Sequence, residues 1–232
     1  MLKALLTDID GTITDPSRRI STGAIEMMRS LADEGVEVVL ASGNTSCFMD
    51  GLCRVIGTKG TFIAENGGVF RIGFAGTLHL KGDQSICKKA LEAVQAYYQD
   101  RGKEIVLLSP TYRFTDLAFA RTVPASEVEK ILKDHPVKVI DTGYAIHLQA
   151  PGIDKGTALE ALAQEMGLLP SDFLAIGDSV NDIQMIRKAG VGVTVANAHP
   201  DTKAAAEFVA EKEYGDGFVE VITRYFSYFR AR

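Results

Sequence analysis

Short, mostly apolar runs alternate along the chain with longer segments in which apolar residues recur every three or four positions. Leu2 to Leu6 and Glu37 to Ala41 are runs of the first kind, with the length of strands buried on both faces of a parallel sheet. Between them, Ser21 precedes a segment with Ile25, Met27, Met28, Leu31 and Ala32 on helical spacing, and Gly35 stands where that helix would stop. This is one βαβ unit. The pattern continues with a helix from Ser46 to Ile56 closed by Gly57, then a third short strand from Thr61 to Ala64 before Glu65-Asn66-Gly67-Gly68.

From about Lys81 to Pro151 the rhythm changes. It predicts a helix near Gln84 to Asp100, strands near Glu104 to Leu108 and Leu117 to Arg121, a helix opened by Ser126, and strands at Val137 to Ile140 and Ala145 to Leu148. After Pro151 the α/β alternation returns, with a helix from Lys155 to Met166, the strand Phe173 to Ile176, a helix after Asn181 and the strand Gly192 to Val195. A short strand, Phe208 to Ala210, and a helix around Phe218 to Phe229 complete the tail. The expected fold is α/β: a doubly wound, mostly parallel, Rossmann-like sheet with an inserted α+β domain. Residues 1–80 and 152–232 form the discontinuous core and 81–151 the insert.

Composition agrees with a folded protein. Of the 232 residues, 46% are hydrophobic and 24% charged, which argues against disordered, collagen-like and coiled-coil chains. Lys and Arg number 25 against 30 Asp and Glu, with no long basic run, so nucleic acid is not an expected partner. Cys47, Cys53 and Cys87 form no CxxC pair and sit near no histidine cluster. They are read as buried or inert thiols rather than a disulfide framework or zinc site. No stretch reaches the 18 or so uncharged residues of a membrane helix, so no membrane association and a cytoplasmic location are expected.

Open parallel sheets bind ligands beyond the carboxyl ends of their strands, and three strands here end in polar loops. The first gives Asp8-Ile9-Asp10-Gly11-Thr12, the second Ser42-Gly43-Asn44, and a later one Gly177-Asp178-Ser179-Val180-Asn181-Asp182. Taken singly, each is also what an Asx-type turn or a helix cap produces. Together they bring four carboxylates to one edge, which is unfavourable unless a cation relieves the repulsion. Oxygen ligands of this kind suit Mg²⁺, which takes one or two carboxylates and keeps room for waters and a substrate phosphate. Asp8 is placed to act as ligand and nucleophile, and Asp10 as acid and base. Lys155 opens a helix, where the macrodipole disfavours a cation, and a role in neutralising a transferring phosphoryl group explains its position.

In order, the Asp-Ile-Asp-Gly-Thr loop, Ser42, Lys155 and the Gly177-to-Asp182 loop resemble the four motifs of the haloacid dehalogenase superfamily of phosphohydrolases. The position of the insert, and Glu65-Asn66-Gly67, are similar to its Cof-like subgroup, in which the insert is a mobile α+β cap. The resemblance implies that Asp8 is the nucleophile and a Mg²⁺ ligand. Asp10 would be acid and base and ligate through its backbone carbonyl; Asp178 completes the ligands, and Asp182 holds a metal-bound water or supports the site. Ser42, Gly43, Asn44, Lys155 and Asn181 would hold the phosphoryl oxygens. Many Cof-like relatives carry Arg where this chain has Asn44, and Ser-Gly-Asn looks more like the archaeal phosphoglycolate phosphatase branch. That branch implies 2-phosphoglycolate as the first substrate. In the insert, Lys81, Arg113 and His147 are candidates to reach its carboxylate, and each is equally read as a surface or hydrogen-bonded structural residue.

The expected activity is therefore Mg²⁺-dependent hydrolysis of a small phosphorylated metabolite, with hinges near Lys81 to Gly82 and Pro151 to Gly152 and cap closure excluding water. A sugar-phosphate phosphatase, a phosphomutase or phosphotransferase, and a catalytically silent phospholigand-binding module share parts of the pattern. Phosphate release with water alone separates the hydrolases from the others. The aromatic tail, Tyr225, Phe226, Tyr228 and Phe229, is apolar enough for core packing or a dimer contact, leaving monomer and homodimer both open.

Overall fold

A computed structural model of the protein describes residues 1–230. They divide into two compact units, one of Met1–His79 with the segment from Asp154 onward, the other Leu80–Ile153.

In the first unit, β1 (Ala4–Asp8), α1 (Thr22–Asp33), β2 (Glu37–Ala41), α2 (Ser46–Ile56) and β3 (Phe62–Ala64) follow the predicted βαβ order. Two strands not foreseen, β4 (Val69–Arg71) and β5 (His79–Leu80), extend the same sheet. The second unit contains α3 (Gln84–Gln99), β6 (Asp116–Ala120), α4 (Ala125–Ile131), β7 (Lys138–Asp141) and β8 (Ala145–Gln149). The chain then returns through α5 (Lys155–Glu165), β9 (Phe173–Gly177), α6 (Ile183–Lys188), β10 (Val191–Thr194), α7 (Pro200–Ala205), β11 (Phe208–Val209) and α8 (Tyr214–Tyr225).

The large sheet runs in the order β11-β10-β9-β1-β2-β3-β4-β5. From β11 to β3 every pairing is parallel, and β4 joins β3 antiparallel. Successive side chains alternate between its faces, as a twofold strand repeat requires. Leu5, Val38, Leu40, Leu174 and Ile176 enter one core, with Met28 and Leu31 of α1, Met49 and Ile56 of α2, and Phe218, Val221 and Ile222 of α8. Ala4, Leu6, Val39, Phe173 and Ala175 enter the other, with Leu159 and Leu162 of α5 and Met185 of α6. Helices thus cover both faces, which is why these strands read as continuous apolar runs.

Register brings the site together. Asp8 pairs with Ala41 and Thr7 with Ile176, so β1, β2 and β9 end level with one another. Their following loops start side by side at the point where the strand order turns back around β1, the usual ligand crevice of such sheets.

The second unit has a three-stranded antiparallel sheet, β6-β8-β7. Cys87, Ala90, Leu91, Val94 and Tyr98 form the buried stripe of α3 and pack with Phe119, Ile146 and Leu148. The strand expected at Glu104 to Leu108 is absent as a ladder. That segment makes an isolated Leu107–Phe119 bridge and two backbone bonds to β6, from Leu108 N to Ala118 O and from Ala120 N to Val106 O. Ser109 then turns left-handed (φ 52°) and Pro110 opens a 3₁₀ turn, which ends the pairing.

The tail also differs from expectation: its helix begins at Tyr214 rather than near Phe218, and ends in a 3₁₀ turn at Phe226–Tyr228. Phe229 is buried in the core and Tyr225 and Phe226 pack against it, whereas Tyr228 is exposed. Cys53 and Cys87 are buried, but Cys47 is exposed, because it lies in the first turn of α2 on the side away from the core.

Candidate active site

The loop after β1 is shaped by Gly11, whose φ of 91° favours glycine and whose missing side chain makes room for a neighbour. A Cβ there would stand 2.4 Å from Asp178 Oδ2. Asn197 holds the same loop, its amide donating to the Gly11 carbonyl at 2.8 Å while its own oxygen accepts from Tyr214 N at 2.7 Å.

Lys155 enters on the first residue of α5. Asp154 caps that helix, accepting from Thr157 N at 2.7 Å, while Thr157 Oγ1 accepts from Asp154 N at 3.1 Å. The Lys155 side chain is 0% exposed, its Nζ 2.5 Å from Asp8 Oδ1 and 2.6 Å from Asp182 Oδ1. Those two carboxylates offset the unfavourable helix dipole and the cost of burial. Thr12 Oγ1 lies 3.3 Å from Asp8 Oδ2 and 3.2 Å from Asp178 Oδ1. Asp182 Oδ2 accepts from the Asp178 and Ser179 amides, at 3.1 and 3.0 Å. Both Asp182 oxygens are therefore engaged.

Asp8, Asp178 and Asp182 each offer an oxygen within 4.8 Å of the others. Among the described residues, Lys155 is the one cation ion-paired to any of them, leaving the group short of positive charge. The titration of the site reflects this. Burial raises the Asp8 carboxyl well above its usual range, with Asp182 and Asp178 adding to the effect and Lys155 opposing it. Burial and Asp182 push Asp178 up to about 7. Burial by itself would lower the Lys155 ammonium, but Asp182 and Asp8 outweigh it and hold it above the ordinary lysine value. A hard divalent cation fits such an oxygen set and relieves the same repulsion.

On the other side, Ser42 is buried and its Oγ accepts from Asn44 N at 3.1 Å and Asn44 Nδ2 at 2.9 Å. The same Nδ2 lies 3.2 Å from Asp10 Oδ2. Asn181 Nδ2 donates to Asn66 Oδ1 at 3.0 Å, and Asn181 Oδ1 accepts from Ser179 Oγ. Gly43 lies against the Asn66 amide. All nine residues singled out in the three loops and at the head of α5 thus fall in one unit, eight of them in short polar contacts and Gly43 packed against Asn66.

A model of the haloacid dehalogenase-like hydrolases matches residues 5–116 and 112–222. The chain belongs to this family. The haloacid dehalogenase-like fold is shared with a Thermoplasma acidophilum protein of known crystal structure, 28% identical, with a TM-score of 0.86 over 97% of this chain and 99% of that one. A haloacid dehalogenase-like hydrolase from Bacteroides thetaiotaomicron, 23% identical, superposes with a TM-score of 0.78 over 97% and 99% of the two chains. Proteins named phosphoglycolate phosphatase are similar end to end: that of Methanoculleus marisnigri is 56% identical over 100% of both chains, and that of Methanospirillum hungatei 49%, also over 100% of both. This haloacid dehalogenase-like hydrolase is accordingly a phosphatase, a phosphoric monoester hydrolase acting on a small phosphorylated substrate. Among the described residues no helix is long and apolar enough to cross a membrane.

Thr12, Asn66 and Asn197 were not given roles from sequence. Thr12 stood within the quoted Asp8 motif. Asn66 stood in the quoted Glu65-Asn66-Gly67 stretch, but its contact and that of Asn197 join residues 115 and 186 positions apart, which no local pattern reveals. The proposed carboxylate readers are in the other unit. Arg113 and His147 are buried there and both contact Asp116, at 2.8 and 2.9 Å, whereas Lys81 is exposed.

Proposed function

We propose that this phosphatase hydrolyses 2-phosphoglycolate to glycolate and inorganic phosphate, with Mg²⁺, through a phosphoenzyme on Asp8. The observation that carries the chemistry is the Asp8–Lys155–Asp182 cluster with Asp178 beside it. Full-length similarity to archaeal proteins named for that substrate supports its choice.

Asp8, Asp178 and the Asp10 carbonyl would hold the ion. Asp182, with its oxygens committed to Lys155 and to backbone amides, serves as its outer support. When bound, Mg²⁺ supplies positive charge to the carboxylates and to the phosphoryl oxygens. Lys155 fixes Asp8 Oδ1 and Thr12 steadies Oδ2, so the carboxylate meets phosphorus in a set orientation. One Asp8 oxygen bonds to phosphorus as the ester P–O bond breaks, and Asp10 gives its proton to the departing glycolate alkoxide. Water then yields a proton to Asp10 while its oxygen bonds to phosphorus, releasing phosphate and restoring Asp8. Because Ser42 Oγ already accepts twice from Asn44, its own O–H is the donor left for a phosphoryl oxygen, joined by the Gly43 amide, Lys155 and Asn181.

The test is phosphate release from a panel of phosphomonoesters that includes 2-phosphoglycolate, with Mg²⁺ and with EDTA, and with Asp8→Asn as the blank. A strong preference for 2-phosphoglycolate is expected, abolished by EDTA and reduced more than about 10⁴-fold in Asp8→Asn, as loss of a covalent nucleophile entails. Equal rates on sugar phosphates would overturn the substrate, and an active Asp8→Asn the nucleophile.

A further inference from the structure

Beyond β3 the chain makes an unusual turn. Glu65 and Asn66 follow one another with φ of 50° and 52°, in the left-handed region that residues other than glycine seldom occupy. Such conformations persist where the surroundings impose them, and they gather at binding and catalytic sites. Here the surroundings are the phosphoryl loops. Glu65 N donates to Asn44 O at 3.0 Å and Asn66 N to Ser42 O at 3.1 Å, which lays the turn along the loop after β2.

The Asn66 side chain reaches the third loop. Asn66 is 1% exposed, and its Oδ1 accepts from Asn181 Nδ2 at 3.0 Å. The Ser179 hydroxyl donates to Asn181 Oδ1, an arrangement in which the Asn181 nitrogen faces Asn66. That nitrogen carries two hydrogens, of which Asn66 takes one. Asn66 Nδ2 is buried and has no hydrogen-bond partner among the described residues, and it stands 3.0 Å from where a Cβ on Gly43 would be. A buried amide with an unpaired donor is unfavourable and calls for an explanation other than packing.

We propose that Asn66 is a positioning residue for phosphoryl binding. It locks the loop after β9 to the loop after β2 and fixes Asn181 so that the second Nδ2 hydrogen is presented to a phosphoryl oxygen. The inference rests on the phosphoryl-binding role proposed above for Asn181. A purely local role, in which asparagine is present because it tolerates a left-handed backbone, predicts that glycine serves equally well.

That contrast sets the test. Asn66→Gly, Asn181→Ala and the double variant are assayed on a phosphomonoester with Mg²⁺, for kcat, KM and inhibition by inorganic phosphate, with melting temperature as the check on folding. Asn66→Gly keeps the backbone conformation, so its melting temperature should stay close to that of the unaltered protein. Its kcat/KM should fall about 10- to 100-fold, as for a reacting group misplaced by an ångström, and inhibition by phosphate should weaken in step. The double variant should lose no more than the worse single one, because both substitutions break one link. A fully active Asn66→Gly beside an impaired Asn181→Ala would overturn the inference alone, as would losses that multiply. An unimpaired Asn181→Ala would overturn the phosphoryl contact and this inference with it.

A second measurement needs no folded Asn66 variant. In the unaltered protein, the Asn181 side-chain amide, assigned by its disappearance in Asn181→Ala, should show one proton protected from solvent exchange and the other shifting on addition of inorganic phosphate. Two protons exchanging freely would also overturn the proposal.

Discussion

The Asn44 side-chain amide donates to Asp10 Oδ2 at 3.2 Å and so ties the loop after β2 to the loop after β1. With the same nitrogen 2.9 Å from Ser42 Oγ, one short neutral side chain aligns the proposed acid with the proposed phosphoryl donor. An arginine here would bring a full charge to the same place. Asn44→Ala should therefore lower kcat about 10-fold, a part of the 10²- to 10⁴-fold that a well-placed general acid supplies, with Mg²⁺ binding unchanged. Steady-state kinetics with isothermal titration of Mg²⁺ checks this, and an unaltered kcat would remove the bridge from the reaction.

The raised carboxyls of Asp8 and Asp178 make a linked prediction about pH and metal. In the metal-free fold these groups bind protons that the unfolded chain has already released above pH 4, so the folded state carries more protons than the unfolded one. Their contribution therefore falls as pH rises from about 4 through the Asp178 value of about 7. A bound divalent cation needs the ionised forms and restores that stability. The EDTA-treated protein should melt lower at pH 8 than this site allows at pH 6, and added Mg²⁺ should raise the melting temperature more at pH 8 than at pH 6. Titration in two buffers of different ionisation enthalpy should detect proton release on Mg²⁺ binding near pH 7; a shift in melting temperature independent of pH would contradict the proposed ligand set.

Much of this site was legible because its chemistry is attached to the most regular part of the fold. β1, β2 and β9 are buried on both faces, so their sequences are apolar runs, and Asp8, Ser42 and Asp178 follow at or directly after the last residue of each. What was not legible depends on distant partners. Glu104 to Leu108 has the composition of a strand, but Ser109 and Pro110 cut its pairing with β6 to an isolated bridge. The start of α8 is masked by Gly215 and Gly217, residues that disfavour a helix interior; a Cβ at Gly215 would lie 2.1 Å from Ser21 Cβ, so close packing requires glycine inside that helix. The link from Asn66 to Asn181 could not be inferred from either residue's neighbours.

In the second unit, Asp116 is fully buried and receives Arg113 at 2.8 Å and His147 Nδ1 at 2.9 Å. Asp116 pairs across the sheet with Gln149, which places His147 on the diagonal of the same face. Burial by itself would raise the Asp116 carboxyl, but the hydrogen bond from His147 and the charge of Arg113 outweigh it and hold the carboxyl below the usual range. A lowered acid stabilises the fold fully above the unfolded-state value of about 3.9 and loses that contribution as pH falls through the lower folded value. Asp116→Asn should cost about 3–5 kcal/mol, the usual penalty for stripping one partner from a buried pair. Native-state hydrogen exchange of the β6 and β8 amides reads this directly. Protection should hold between pH 6 and 5, decline below pH 4, and be low at every pH in Asp116→Asn; unchanged protection in the variant would mean that Arg113 and His147 are held by their other neighbours.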